Sequence, residues 1–441
     1  MCSLADWEPF RLGDLVDVIH GFAFGGDCFR DEPPGDILLT PGNFQKGGGF
    51  KAASPKYYVG PVPQDYVLAE GDLLVTMTDL SKSADTLGYP ALVPEAPLGA
   101  RFLHNQRLGK VLVKEPSRLD IRFLYYVLCS REYRHEVLAG ATGTTVRHTS
   151  PTRIAAFEFG LPPLPEQRAI AHVLGSLDDK IELNRRMNET LEAMARAIFK
   201  SWFVDCDPVR AKMDGRRPAC MDAATAALFP DAFEDSELGE IPKGWSVGTI
   251  GDVAHQTRRG VRPEDMGPET PYIGLEHMPR RSISLSEWGA AADVSSAKSG
   301  FRRGEILFGK LRPYFHKVGV ALLNGVGSTD IVVVLPREEP WFGFTLGHLS
   351  SDQFVAHADA TSTGTKMPRT NWEAMARYPV ALPPVAIAEA YSRLVLPFID
   401  LIHSHVFESR SLAAIRDALL PRLLSGEIRV PDDVRPPESA S

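Results

Sequence analysis

Two kinds of segment carry the residues best suited to grip a polyanion. The first is Gly309-Lys310-Leu311-Arg312-Pro313-Tyr314-Phe315-His316-Lys317, which sets three cations among aromatic rings after a predicted strand. Lys and Arg neutralise phosphates, and Arg can also hold a guanine edge through two hydrogen bonds. Lys310, Arg312 and Tyr314 are the candidate contacts there. The second is a pair of corresponding loops, Thr142-Gly143-Thr144-Thr145-Val146-Arg147-His148 and Thr363-Gly364-Thr365-Lys366-Met367-Pro368-Arg369. Each offers hydroxyls, a glycine-supplied tight turn with free N–H groups, and cations, a combination that grips phosphate or base edges. Thr144, Thr145, Arg147 and His148 are the candidates in one loop, and Thr365, Lys366 and Arg369 in the other. Asn105-Gln106-Arg107 could read bases or equally cap a strand, and Arg258-Arg259-Gly260-Val261-Arg262 reads as a solvated basic turn.

Catalytic patterns are missing. There is no GxxxxGK[ST] phosphate loop, no strand–GxGxxG–helix fingerprint, no HExxH and no GxSxG. The Asn-Pro-Pro-aromatic motif of amino-methyltransferases is absent too, Asp31-Glu32-Pro33-Pro34 being the nearest string. His403-Ser404-His405 falls on a predicted helix, where neighbours two apart point to different faces, so no metal site is expected. The pattern is that of a binder, with no catalytic residue and no cofactor of its own.

These segments must be positioned by larger elements. From about Pro165 to Lys200 the chain runs without a proline, with apolar residues at Ile170, Val173, Leu174, Leu177, Ile181, Met187, Leu191, Met194 and Ile198. That spacing predicts one long amphipathic helix, close to a seven-residue repeat, of about 54 Å for ~36 residues. Lys180 and Asn184 interrupt the stripe and are candidates for fixing its register against a partner. A second long helix is predicted after Leu382-Pro383-Pro384, to about Leu424, with Tyr391, Leu394, Val395, Phe398, Leu401, Ile402, Leu412, Ile415 and Leu419 as its stripe. Ile170, Leu177, Lys180, Asn184, Leu191, Phe398 and Leu412 are the residues expected in helix pairing or subunit docking.

The two halves repeat. Thr142-Gly143-Thr144 aligns with Thr363-Gly364-Thr365 at an offset of 363 − 142 = 221, and Leu161-Pro162-Pro163 with Leu382-Pro383-Pro384 at 382 − 161 = 221. Gly71-Asp72-Leu73-Leu74 aligns with Gly304-Glu305-Ile306-Leu307 at 304 − 71 = 233, and Trp7 with Trp245 at 245 − 7 = 238. Each half is thus a turn-rich mixed α/β globule followed by a long helix whose stripe exceeds what its own globule covers. The expected fold is α+β: two similar mixed α/β domains, which the family resemblance given below identifies as target recognition domains, separated by a pair of long antiparallel, coiled-coil-like helices, in a pseudo-two-fold repeat. The boundaries read as 1–160 for the first globule, 161–205 for the central helix, 206–240 for a linker whose apolar Leu228-Phe229-Pro230 could pack, 241–381 for the second globule, 382–425 for the C-terminal helix and 426–441 for a disordered tail. Duplex DNA carries the same kind of two-fold axis, so two heads on a spacer suit sites about one turn, ~34 Å, apart, though a two-headed protein binder has the same geometry.

The 441 residues carry a formal net charge of −8, which excludes a wholly basic nucleic-acid coat but not local basic surfaces. The five cysteines form no CxxC pair, so neither a zinc ribbon nor a disulfide framework is suggested. No run reaches the ~18 apolar residues of a membrane span, and the N-terminus has no signal-peptide pattern. A cytoplasmic location is the expectation.

The stretch from Leu161 to Val209, LPPLPEQRAIAHVLGSLDDKIELNRRMNETLEAMARAIFKSWFVDCDPV, resembles the central conserved region of the specificity subunits of type I restriction–modification systems. Ser236-Glu237-Leu238-Gly239-Glu240-Ile241-Pro242-Lys243-Gly244-Trp245 is similar to that family's approach to its second recognition domain, and Leu423-Leu424-Ser425-Gly426-Glu427-Ile428 to its C-terminal end. One departure is Val385-Ala386-Ile387-Ala388-Glu389, where the family typically repeats Leu-Pro-x-Gln-Arg-x, so contacts of Gln167 and Arg168 are not duplicated. The resemblance implies a non-catalytic subunit that reads a bipartite target in double-stranded DNA. It further implies docking of two methyltransferase (modification) subunits, which use S-adenosylmethionine, and of restriction subunits, which use ATP and Mg. The alternative is a two-headed DNA-binding adaptor or regulator with no methyltransferase partner; a self-sufficient enzyme is disfavoured by the missing cofactor motifs.

Overall fold

Pro162 and Pro163 cannot continue the strand before them, and helix α1, Leu164–Phe199, starts directly after. Its first turn is tied down by Gln167, fully buried, which accepts from Asp120 N (2.8 Å) and donates to the carbonyls of Arg118 and Pro162 (2.8 Å each). The helix passes into a π-helical turn, Lys200–Val204, and ends where Cys206 adopts a left-handed φ of 53° ahead of Pro208. Helix α2 runs over Val385–Leu424. The computed structural model describes residues 7–51, 55–79, 81, 84–143, 146–293 and 296–431.

The chain forms two compact units, one of residues 1–180 and 411–441, the other of residues 181–410, so α1 and α2 each contribute to both. In the first unit a four-stranded antiparallel sheet has the order Val16–His20, Leu108–Val113, Leu73–Thr76, Pro90–Leu92. A five-stranded sheet places Asp36–Leu39 parallel to Phe102–His104, with Tyr57–Tyr58 and Val67–Leu68 antiparallel on either side. In the second unit Ala254–Thr257, Ile331–Pro336, Ile306–Gly309 and Val318–Val320 form the four-stranded sheet. Its five-stranded sheet again centres on one parallel pair, Pro271–Ile273 with Gly325–Gly327, flanked by Gly289–Ala290 and Lys298–Phe301. The repeat expected from the aligned glycines and prolines is therefore a repeat of topology.

Each unit contains its own piece of antiparallel helix pairing. In the first, Ile170 and Leu174 share a core with Leu423 and Val430, and Arg416 Nη1 donates to Asp178 Oδ1 at 2.6 Å. In the second, Asn184 Nδ2 donates to Glu408 Oε2 (2.7 Å), Asn188 Oδ1 meets His405 Nδ1 (2.8 Å) and Tyr391 Oη donates to the Ala195 carbonyl (2.9 Å), so positions rise on α1 as they fall on α2. Phe199, Trp202 and Phe203 stack around the buried Tyr391 at centroid distances of 6.0, 5.8 and 5.2 Å. Burying such rings stabilises by about 1.5–3 kcal/mol each.

Three expectations are corrected. The seam inside the second unit is lined by Asn184, Asn188, Glu192 and Ala195, all buried, whereas Met187 and Met194 of the predicted stripe are 36% and 45% exposed. Leu191 and Phe398 pack at its margin, and Leu177, Lys180 and Leu412 are half-buried. Residues 206–240 are folded, with helices Asp207–Met213 and Ala223–Leu228 and a hairpin of Phe233–Ser236 and Gly239–Pro242. Val209 and Phe229 anchor this segment in the second unit's core. Residues 426–431 of the expected disordered tail are packed, since Val430 is 3% exposed in the first unit's core and Arg429 lies over the Trp7 ring at 5.4 Å; the remainder of that expectation, residues 432–441, lies outside the described residues.

Candidate nucleic-acid interface

In the second unit the strand Ile306–Gly309 ends where Gly309 N donates to the Lys317 carbonyl at 2.8 Å. The chain then makes a tight loop. Arg312 and His316 both take left-handed φ values, 50° and 52°, and bracket the single 3-10 turn Pro313–Phe315. A second loop is closed by mutual hydrogen bonds between Thr363 and Arg369, 2.9 Å in each direction. The two loops are zipped together. Leu311 pairs with Arg369, Arg312 N donates to the Pro368 carbonyl (2.7 Å), Thr370 N donates to the Lys310 carbonyl (3.1 Å), and Arg312 Nη2 reaches the Lys366 carbonyl (3.3 Å). Two candidate segments some fifty residues apart, with Arg312 and Lys366 54 positions apart, are thereby one site.

Lys310, Arg312, Tyr314, Thr365, Lys366 and Arg369 all belong to this zipped pair of loops. Tyr314 is 51% exposed and its ring packs edge-on to Phe315 at 4.8 Å. Arg312 is half-buried, and its Nε is buried without a hydrogen-bond partner among the described residues. Arg369 Nε donates to Asp330 Oδ1 at 3.0 Å, which orients the guanidinium while about half of the side chain stays exposed. Arg280, which no motif singled out, lies 4.1 Å from the Phe315 ring centre and adds a cation. Cations beside exposed rings on a hydrogen-bonded loop pair can neutralise phosphates and offer bidentate donors to base edges.

The first unit builds the same frame with different chemistry. Thr142 and His148 exchange hydrogen bonds (3.0 and 2.9 Å) as Thr363 and Arg369 do, at the same offset of 369 − 148 = 221. Arg147–His148 pairs with Thr78–Asp79, as Arg369 pairs with Leu311, and His148 Nδ1 lies 3.2 Å from Thr78 Oγ1. At the place of Arg312 (312 − 79 = 233) stands Asp79, 4% exposed. Burial works against its charge, but hydrogen bonds from Ser81 N (2.6 Å), Thr86 N (2.5 Å) and Thr86 Oγ1 (2.8 Å) outweigh it and hold its pKa below the ordinary value. His148 is exposed and Arg147 half-buried with its Nε unpartnered among the described residues, while Thr144 and Thr145 lie outside the described residues.

Other sequence candidates have local duties. Asn105 Oδ1 accepts from Arg107 N at 2.8 Å and so caps its own turn. Arg259 is held by the buried Glu305 through two hydrogen bonds of 2.7 and 2.5 Å. His403 and His405 are both buried, at 4% and 6% exposure, and among the described residues no group of three potential ligands is placed to hold a metal ion. No helix among the described residues is long and apolar enough to cross a membrane.

Each unit is thus a mixed α/β domain followed by a long helix and carrying a zipped loop pair. Residues 5–193 match the model of the type I restriction modification DNA specificity domain. The chain is 26% identical over 372 residues to the HindI specificity subunit of Haemophilus influenzae, covering 72% of this chain and 80% of that protein. It is 24% identical over 378 residues to the MjaIX specificity subunit of Methanocaldococcus jannaschii, covering 82% and 79%. The crystal structure of the type I restriction–modification S subunit from M. genitalium has the same fold, with a TM-score of 0.56 at 15% identity over 95% of this chain and 96% of that one. Over most of its length the chain is thus similar to specificity subunits of type I restriction–modification systems.

Proposed function

We propose that this chain is the specificity subunit of a type I restriction–modification system, that it reads a bipartite target in double-stranded DNA, one half by each unit, and that it docks the methyltransferase and restriction subunits that act on it. The observation that carries this reading is the zipped loop pair of the second unit, which gathers Lys310, Arg312, Tyr314, Lys366 and Arg369 onto one hydrogen-bonded frame. Backbone hydrogen bonds fix the frame, phosphate contacts set register, and the guanidinium forks of Arg312 and Arg369 discriminate bases. The equivalent frame in the first unit presents His148 and Arg147 around a self-capped Asp79, so the two halves of the target are read by unlike chemistry. The chain itself performs no catalysis. S-adenosylmethionine, ATP and Mg belong to the partner subunits, and the complex is cytoplasmic.

Co-purification tests the assignment. The tagged chain, co-expressed with the adenine methyltransferase subunit of its own system, is expected to retain it through size exclusion and to confer methylation on duplex DNA only when both target halves are intact. A chain that binds DNA but retains no methyltransferase would instead be a two-headed regulator.

A further inference from the structure

Glu192 sits on α1 within the second unit and is only 5% exposed. Its carboxylate grips a strap of the recognition domain. Oε1 accepts from Ser282 Oγ (2.8 Å) and Ser284 N (3.1 Å), and Oε2 accepts from Ile283 N (3.1 Å) and Arg196 Nη2 (3.2 Å). Arg196, one helical turn on, also donates to the Arg281 carbonyl at 2.5 Å. The strap continues to the candidate interface. Arg281 N donates to the His316 carbonyl (2.9 Å), Asp352 Oδ1 lies 2.7 Å from Arg281 Nη1 and 3.3 Å from His316 Nδ1, and Arg280 covers the Phe315 ring. His316 and Phe315 close the loop that carries Arg312 and Tyr314. The strap's far end is held by α2, where Arg410 lies 3.7 Å over the Trp288 ring and donates to the Ser286 carbonyl at 3.3 Å.

A buried carboxylate is a poor device for stability alone, because desolvation offsets what its partners return, and a charge held by several donors is better suited to fixing one geometry. The first unit demonstrates that the fold does not require it. The position equivalent to Glu192 is Ala413 (192 + 221 = 413), which has no acceptor. The turns after the two parallel strands begin at Thr40 and Gly274, an offset of 274 − 40 = 234, so residues 281–284 correspond to 47–50. There the chain reads Gly47-Gly48-Gly49-Phe50, with all three glycines at left-handed φ values of 95°, 102° and 108°. One unit makes this segment from bare backbone, the other ties it to the long helix through a carboxylate.

We propose that Glu192 is a positioning residue for DNA recognition: it clamps the 280–284 strap to the long helix and thereby holds the Arg312 loop where it discriminates its half of the target. The proposal rests on the function proposed above, and the experiment separates the two. The full complex with its methyltransferase is measured by competition binding on duplexes with single-base changes in either half. The half whose discrimination is lost in Arg312→Ala is the one assigned to the second unit. Glu192→Ala is expected to lower discrimination in that half about tenfold while leaving the other half within about twofold. Glu192→Gln, which keeps one acceptor oxygen but turns a donor toward Ile283 N, is expected to fall between. Arg196→Ala, partly exposed and leaving the carboxylate with its other three donors, gives a smaller loss in the same half and stands in if Glu192→Ala does not fold. Unchanged discrimination in both Glu192→Gln and Arg196→Ala, or equal losses in both halves, would overturn the clamp. If Arg312→Ala affects neither half, the assignment of the reading loop fails instead.

Discussion

Arg312 joins a proposed DNA contact to a backbone strain, and the two can be separated by a pair of substitutions. Its φ of 50° is a left-handed conformation that costs an ordinary L-residue roughly 1–2 kcal/mol. Alanine keeps that strain and removes the guanidinium; glycine removes both, at an offsetting cost of about 0.5–1 kcal/mol from its more flexible unfolded chain. Both variants lose only one partly exposed side-chain hydrogen bond, the 3.3 Å contact to the Lys366 carbonyl, worth about 1 kcal/mol or less. Folding stability is therefore expected to fall slightly in Arg312→Ala and to stay near the wild-type value in Arg312→Gly. Binding should separate from stability. A bidentate contact to a guanine is worth about 1–3 kcal/mol, so both variants should bind the cognate duplex roughly 5- to 150-fold more weakly. Gel-shift titrations at several salt concentrations distinguish the contact made: loss of a phosphate contact lowers the log–log salt slope by about 0.9, whereas loss of a base contact leaves the slope and relaxes preference at one position. Wild-type affinity and an unchanged salt slope in both variants would refute the placement of Arg312 in the interface.

Two further predictions concern stability. A Cβ at Gly347 would lie 2.1 Å from Phe199 Cδ2, and Phe199 is buried in the second unit's core, so Gly347→Ala should destabilise that unit by about 1–3 kcal/mol despite alanine's better helix propensity, seen as a lower thermal midpoint. Burial pushes the imidazoles of His104, in the first unit, and His403, in the second, down to about 4. The unfolded chain then takes up protons from about pH 6.5 downward while the native units do not until about pH 4, so this stability is fully present above ~6.5 and is lost as pH falls through that window. Urea midpoints at pH 5 should lie below those at pH 7.5 for both units, by an amount equivalent to about 2 kcal/mol for each histidine; equal midpoints would contradict the burial of these rings as neutral groups.

The long helices were legible because proline stops and a near-seven-residue period are local signals: Leu164–Phe199 with its π turn to Val204 falls within the expected 161–205. The face they bury was less so. Hydropathy assigns Met187 and Met194 to the seam, but Asn188 and Glu192 lie within it, because hydrogen bonds to His405 and to the 282–284 strap satisfy groups that hydropathy treats as solvent-facing. The 206–240 segment reads as a linker because its charges are segregated, although the apolar Leu228-Phe229-Pro230 offers a packing site, and Val209 at 0% and Phe229 at 1% exposure dock it. Both candidate loops were visible as residue types. Their joining was not, since pairing of Leu311 with Arg369 is a tertiary contact with no local signature. The repeat held a usable hint: the 221 and 233 offsets that place His148 on Arg369 also place Thr78 on Leu311, and both pairs meet.

The central claim is that this chain directs adenine methylation to a sequence read in two halves. The most direct measurement is to express it with the methyltransferase subunit of its own system in a host without competing methylation and to map every modified adenine in the genome. The expected result is one bipartite motif with an unread gap, and in Arg312→Ala the degeneration of one half with the other intact. Methylation without a motif, a single undivided motif, or none in the presence of an active methyltransferase subunit would contradict it.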